Sequence, residues 1–226
     1  MTAASFLTKA LNRRGQPSNM RKEFAGEFFG TAFMVAAGCG SVALGASHGI
    51  VSLTFGVAVT LAIIAFGPLS GAHINPAVSI SFWRDGQLEG RLLPTYIVAQ
   101  CAGGIAGALI VSGAAPTSLA PSVLLVEGFG IEVAITAALM ASILLVVQRS
   151  SSRMRIALWV GGTVALLAFI AGPLTGASMN PARTLGPNLL NGMWATLPFY
   201  VVSTTLGAWL ACDLKHRFFP DGSSTD

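Results

Sequence analysis

The chain has 226 residues, 53% of them hydrophobic and only 10% charged, with a mean hydropathy of +0.70. A soluble domain carries about 25% charged residues, so a water-soluble globule is excluded and membrane lipid is the expected surrounding. The net charge of +4 would suit a nucleic-acid partner, but the cations stand singly or in small groups at the borders of apolar stretches, which excludes a nucleic-acid patch.

In chain order, residues 1–22 form a basic arm carrying Lys9, Arg13, Arg14, Arg21 and Lys22. They lack the long apolar run of a signal peptide. A short interfacial helix over Phe6–Arg14 is the alternative to an extended arm, and Met20 is an alternative start. A helix crosses a bilayer with about twenty apolar residues, and six stretches qualify: 24–46, 50–68, 92–112, 126–147, 156–174 and 193–213. Two further segments, 74–82 and 180–190, are apolar but too short to span, and each begins at an Asn-Pro pair. The expected architecture is therefore all-α: six transmembrane helices plus two half-helices in one channel domain, 23–217, with a tail at 218–226.

An even number of spans leaves both termini on one side. With both termini cytoplasmic, twelve of the thirteen Lys and Arg fall inside and only Arg183 does not, so the positive-inside rule sets the orientation. In a bacterial cell this is a multi-pass protein of the inner (plasma) membrane.

The chain repeats itself. Gly67-Pro68-Leu69-Ser70-Gly71-Ala72-His73-Ile74-Asn75-Pro76-Ala77 matches Gly172-Pro173-Leu174-Thr175-Gly176-Ala177-Ser178-Met179-Asn180-Pro181-Ala182. Glu27 precedes Asn75 by 48 residues, as Glu132 precedes Asn180. The units, about 24–113 and 127–213, hold three spans each. An odd number turns the second copy upside down, so the short segments approach the midplane from opposite faces, where inverted repeats place solute paths.

Irregular backbone at membrane depth survives only when buried in protein or lining a watery cavity. A half-helix starting there exposes its first N–H groups. Asn caps them, and Pro fits the first turn because it has no N–H to lose. Ala keeps the crossing narrow. With their oxygens tied to backbone, the amides of Asn75 and Asn180 can offer NH₂ donors to a passing oxygen. Both half-helix starts carry about half a positive charge, a barrier to cations and protons but not to neutral dipoles.

Arg183 lies one turn into the second half-helix. A charge at that depth is costly unless it faces water or a partner, so it is expected in the pore rather than snorkelling to the interface. Glu27 and Glu132 are expected to accept hydrogen bonds from the loops before each Asn-Pro-Ala. They form no catalytic set, since no nucleophile or metal cluster accompanies them. His73 either lines the pore or pins its loop. Cys39, Cys101 and Cys212 are widely spaced and read as small buried hydrophobes, not as a metal site or disulfide framework.

These motifs resemble the aquaporin or major intrinsic protein family from about Met20 to Lys215, most specifically at Ser70–Val78 and Met179–Arg183. The resemblance implies a passive, non-enzymatic channel that works as a homotetramer without cofactor, passing water and small neutral solutes. It further implies a ladder of carbonyls from Gly71, Ala72, His73, Gly176, Ala177 and Ser178. It places the outer filter at Phe55, Ala168, Ala177 and Arg183. The strict water channels of the family look like Phe, His, a small residue and Arg, so Ala168 departs from them. Glycerol channels usually have Asp after the Arg, where this chain has Thr184. Their long extracellular insertions are also missing. Tyr200-Val201 looks more like the solute-permeable branches. A filter without the His is wider and more apolar on one side, which suits glycerol-like solutes or metalloid acids such as arsenite. The rival expectations are a strict water channel and, from another class, a non-conducting structural or junctional membrane protein.

Overall fold

The computed structural model describes residues 19–111 and 113–218. Its helices are α1 (Met20–Ala43), α2 (His48–Ser70), α3 (Pro76–Arg84), α4 (Leu93–Ile110), α5 (Leu125–Arg149), α6 (Arg153–Thr175), α7 (Pro181–Leu190) and α8 (Leu197–Phe218), the last entered through a 3₁₀ turn at Trp194–Thr196. Six of these are long and apolar enough to cross a membrane, while α3 and α7 are not. The shortest of the six, α4, has 18 residues, about 27 Å at about 1.5 Å per residue. The segment Phe6–Arg14 lies outside the described residues.

The solvent logic is inverted relative to a soluble bundle. Leu53, Leu61, Leu158, Phe169 and Ile170 point outward, while Glu27, Thr31, Gln100, Glu132, Thr136 and Thr204 are fully or almost fully buried. Such a surface is stable only against lipid. Some of these interior polar groups find partners inside the bundle, Gln100 on Glu27 and Thr204 on the Tyr200 carbonyl.

Close helix approach comes from glycines at a few crossings. A Cβ on Gly56 would strike the carbonyl oxygen of Gly161, and one on Gly161 that of Gly56, which fixes the α2–α6 crossing. Gly103 sits against the Phe28 carbonyl where α4 crosses α1, and Gly207 against the Val133 carbonyl where α8 crosses α5. Gly104 and Gly186 bring α4 and α7 together in the same way, against the carbonyls of Ala182 and Gly104. These are the small-residue contacts that replace a hydrophobic driving force between helices in lipid.

The ends of the elements differ from hydropathy in instructive ways. Helices α2 and α6 run beyond Pro68 and Pro173 to Ser70 and Thr175, whereas the spans were expected to end at 68 and 174. A Pro in the last turn costs only one backbone bond. The carbonyl freed by Pro173, that of Phe169, is taken by the ring of His48 at 2.8 Å from Nε2. Both helices then stop at a left-handed glycine, Gly71 (φ 95°) and Gly176 (φ 75°), the ordinary C-terminal device. Helix α8 extends to Phe218, past the expected 213, because Lys215, His216 and Arg217 sit in its last turn. Cations there suit the helix dipole, although a hydropathy window ends where they begin. Helix α1 starts earlier than the expected 24, with the Asn19 side chain accepting from the N–H groups of Arg21 and Lys22.

Candidate functional site

The two half-helices start beside each other. Asn75 and Asn180 both have extended backbone, φ −158° and −155°, and cap α3 and α7. Asn75 Oδ1 accepts from Ala77 N at 2.9 Å, and Asn180 Oδ1 from Ala182 N at 2.9 Å and Arg183 N at 3.3 Å. Pro76 and Pro181 occupy the first turn, and Ala77 and Ala182 are completely buried. With the oxygens so engaged, each NH₂ faces the other repeat: Asn75 Nδ2 donates to Met179 O at 2.7 Å, and Asn180 Nδ2 to Ile74 O at 2.8 Å. The amides thus strap the two halves together reciprocally. Each NH₂ carries two hydrogens, so one donor per Asn is left beyond the strap, a division that the sequence did not reveal.

The loops leading to these caps are strained. Ala72, Ile74, Ala177 and Met179 all have positive φ, between 42° and 52°, a conformation costing of order 1 kcal/mol or more each outside glycine. Two buried carboxylates hold it. Glu27 accepts from His73 N at 2.9 Å and Ile74 N at 2.6 Å, and Glu132 from Ser178 N at 2.9 Å and Met179 N at 3.1 Å. The remaining acceptor capacity is used by Gln100 Nε2 on Glu27 (2.7 Å) and Thr175 Oγ1 on Glu132 (2.7 Å). Gln100 also donates to Ser79 Oγ, which in turn meets His73 Nδ1 at 3.1 Å. His73 packs against the rings of Phe82 and Tyr96 and lines the cavity described below, so it both faces the path and is pinned. Tyr96 and Tyr200 hydroxyls donate to the carbonyls of Ser70 and Thr175, the last helical residues before each loop.

A cavity of about 530 Å³ runs past the Asn pair, touching His73 and Val78 on one side and Phe55, Ala168, Ala177 and Arg183 on the other. It reaches His73, Ile74 and Gly176 to Met179, but not Gly71 or Ala72. Gly71 is instead the cap of α2, and the Ala72 N–H is held by Ser70 Oγ at 3.0 Å.

Arg183 is 8% exposed and its guanidinium carbon lies 4.8 Å from the centre of the Phe55 ring, a cation–π contact. Its Nη1 donates to Thr117 Oγ1. Among the described residues no carboxylate forms an ion pair with it, so its charge is directed at the cavity rather than neutralised. Thr117 belongs to the connection between α4 and α5. Its own backbone is gripped by Asn188, which accepts from Thr117 N at 2.8 Å and donates to Thr117 O at 2.9 Å. Sequence reasoning missed Thr117, Asn188 and Gln100. The only signal was the requirement that Arg183 and Glu27 find partners, which names no position.

The cavity lining mixes apolar side chains, among them Phe55, Val59, Val164 and Ala168, with the donors of Arg183, Asn75 and Asn180.

Comparison with families of known proteins matches residues 15–214 to the family described as major intrinsic protein. Among curated relatives, Aquaporin NIP1-1 of Zea mays is 38% identical, the match covering 80% of this chain and 69% of the relative. The Glycerol uptake facilitator protein of Pseudomonas aeruginosa is 36% identical, with 76% of each chain covered. The solved X-ray structure of the aquaglyceroporin from Plasmodium falciparum superimposes with a TM-score of 0.82 at 26% identity, over 88% of this chain and 97% of that one.

Proposed function

From the premise that the chain belongs to the major intrinsic protein family, and so is a passive membrane channel for water and small neutral solutes and not an enzyme, we propose that it is a broad-solute member. In this reading it passes glycerol-like polyols and uncharged metalloid acids such as arsenous acid as well as water. Phe55, Ala168, Ala177 and Arg183 form the outer filter, and Asn75 and Asn180 with their Pro and Ala neighbours form the central constriction. The observation that carries the reading is Ala168. It lines the cavity together with Phe55 and Arg183, and its methyl group leaves open the space that a larger polar side chain would fill. The glycerol named for the Pseudomonas aeruginosa relative agrees with such a filter.

The same proposal includes a homotetramer in the plasma membrane, one channel domain over residues 23–217, and both termini cytoplasmic. The excess of Arg and Lys on one face supports the orientation. Proteoliposomes of the purified chain, shrunk in a gradient of glycerol, urea or arsenous acid and followed by light scattering, test the function. Re-swelling in glycerol and arsenous acid is expected. Fast water flow without solute-driven re-swelling would reduce the protein to a strict water channel, and slow water flow in folded protein would remove the channel reading.

A further inference from the structure

At the membrane face that carries the basic loops, the end of α3 meets the end of α8. Cys212 and His216 stand four residues apart on α8, hence on one face of the helix, and Asp85 is the C-cap of α3. The fold closes these three into one cluster across more than a hundred residues of sequence. His216 Nε2 is 2.7 Å from Asp85 Oδ1, Cys212 Sγ is 3.8 Å from His216 Nε2, and Cys212 Sγ is 4.0 Å from Asp85 Oδ1. Among the described residues it is the one group of His, Cys and acid side chains whose ligand atoms lie this close together.

We propose that Asp85, Cys212 and His216 form a binding site for a zinc-class divalent cation, separate from the solute path. A tetrahedral zinc with one sulfur, one imidazole nitrogen and one carboxylate oxygen sets its ligands about 3.6 Å apart where sulfur is involved and about 3.4 Å apart between nitrogen and oxygen. The sulfur distances already fall near these values. Two contacts on Asp85 Oδ1 have to open to admit the metal, those of His216 Nε2 and Lys215 Nζ, both at 2.7 Å. The Cys212 thiol gives its proton to solvent, and the His216 proton moves through solvent from Nε2 to Nδ1, so nothing is oxidised or reduced. Water completes the fourth position.

The surroundings divide the carboxylate into two uses. Gln87 Nε2 and Lys215 Nζ both hold Oδ2, at 2.5 and 2.8 Å, while Lys215 also touches Oδ1 at 2.7 Å. With the cation on Oδ1, Lys215 keeps Oδ2 and becomes an orienting partner, as carboxylate ligands commonly require. The Asp85 and Cys212 side chains are buried and the His216 side chain is 43% exposed, so a cation enters past the imidazole. The nearby Arg84–Asp213 pair is internally neutral, and the thiolate formed at Cys212 offsets one of the two added charges.

The test uses the full chain in detergent under reducing conditions, titrated with Co²⁺ as a spectroscopic stand-in and then with Zn²⁺. One equivalent of Co²⁺ is expected to produce a near-ultraviolet thiolate charge-transfer band with tetrahedral visible bands, all displaced by Zn²⁺. Cys212→Ser should remove the near-ultraviolet band, and the Cys39→Ser, Cys101→Ser double variant should keep it. Gln87→Ala, which removes an orienting hydrogen bond on Asp85 Oδ2, should weaken binding by roughly tenfold. Zn²⁺ should raise the Tm of the wild type but not of Cys212→Ser, because only native protein binds. No band at saturating Co²⁺, or a band that survives Cys212→Ser, would overturn the proposal. The metal-free Tm of each variant separates loss of the site from loss of the fold.

Discussion

Ala168 and Arg183 line the same cavity and present opposite chemistry to it. Arg183 brings a donor and a charge that Thr117 orients and Phe55 partly covers, whereas Ala168 contributes a methyl group and space. In the proposed filter, selectivity for size rests on the smaller residue. The change Ala168→His narrows that filter and adds a polar wall. Glycerol and arsenous acid uptake should fall by roughly tenfold or more, an added barrier of at least about 1.4 kcal/mol, while water permeability changes little. Parallel stopped-flow traces in sucrose and glycerol measure both. Equal losses for water and glycerol would mean that the filter lies elsewhere. The loop carboxylates illustrate a different kind of residue. Glu27 and Glu132 do not line the cavity, yet each satisfies two N–H groups whose geometry the strained residues Ile74 and Met179 impose. Their charge is tolerated at depth because every donor aimed at them would otherwise be an unpaired buried group.

At the scale of elements, stability depends on how closely particular helices approach and on what ties their ends. The crossing of α2 and α6 has a glycine on each side, Gly56 and Gly161, each facing the other's carbonyl. Backbone cannot yield as a flexible side chain can. Gly56→Ala or Gly161→Ala should each cost about 1–3 kcal/mol, seen as a lower Tm in detergent and a smaller yield of folded protein, whereas Gly162→Ala, with open space around it, should leave Tm unchanged. The junction of α3 and α8 depends on charge instead. Burial alone would raise the pKa of Asp85, but hydrogen bonds from Lys215, Gln87 and His216, with the Lys215 charge, outweigh it and hold the carboxyl below its ordinary range. A folded value below the unfolded one, about 3.9, gives a stabilisation that is complete above the unfolded value and lost as pH falls through the depressed one. Asp85→Asn should therefore lower stability by about 1–2 kcal/mol at pH 5 to 8, and the difference from wild type should shrink below about pH 4. A gap that opens only towards acid would contradict this account of the junction.

For the molecule as a whole, the inverted repeat is what the sequence makes legible and what the structure elaborates. Two Asn-Pro-Ala triplets, the Gly-Pro pairs at 67–68 and 172–173 and two buried Glu at equal spacing are written in the chain itself, because each performs a local backbone task that suits those residue types. The reciprocal straps, Asn75 to Met179 and Asn180 to Ile74, follow from the repeat but appear only when the halves are brought together. Thr117 was not legible, since it lies 66 residues from Arg183 in a connection without periodicity. Nor could the 26 glycines of the chain be sorted into crossings and bystanders, because that depends on which carbonyl lies opposite. The same symmetry sets the carboxylates of Glu27 and Glu132 behind the loops, where they do not line the cavity, and positive ends at the pore itself. Two half-helix starts, about half a charge each, meet there, and Arg183 adds a full charge with no ion-paired carboxylate among the described residues. At an effective dielectric of about 20, a cation about 4 Å from one such charge is disfavoured by about 4 kcal/mol, close to a thousandfold in rate. Proteoliposomes loaded with a pH-sensitive dye should therefore show rapid water flow with no proton leak above empty vesicles. Arg183→Val removes the largest single charge and widens the outer filter. It should increase glycerol uptake and admit a measurable leak of protons or small monovalent cations, while Arg183→Lys should retain exclusion. If Arg183→Val remained as tight to ions as the wild type, the barrier would belong to the half-helix starts alone, and Arg183 would act only as a hydrogen-bond donor to the solute.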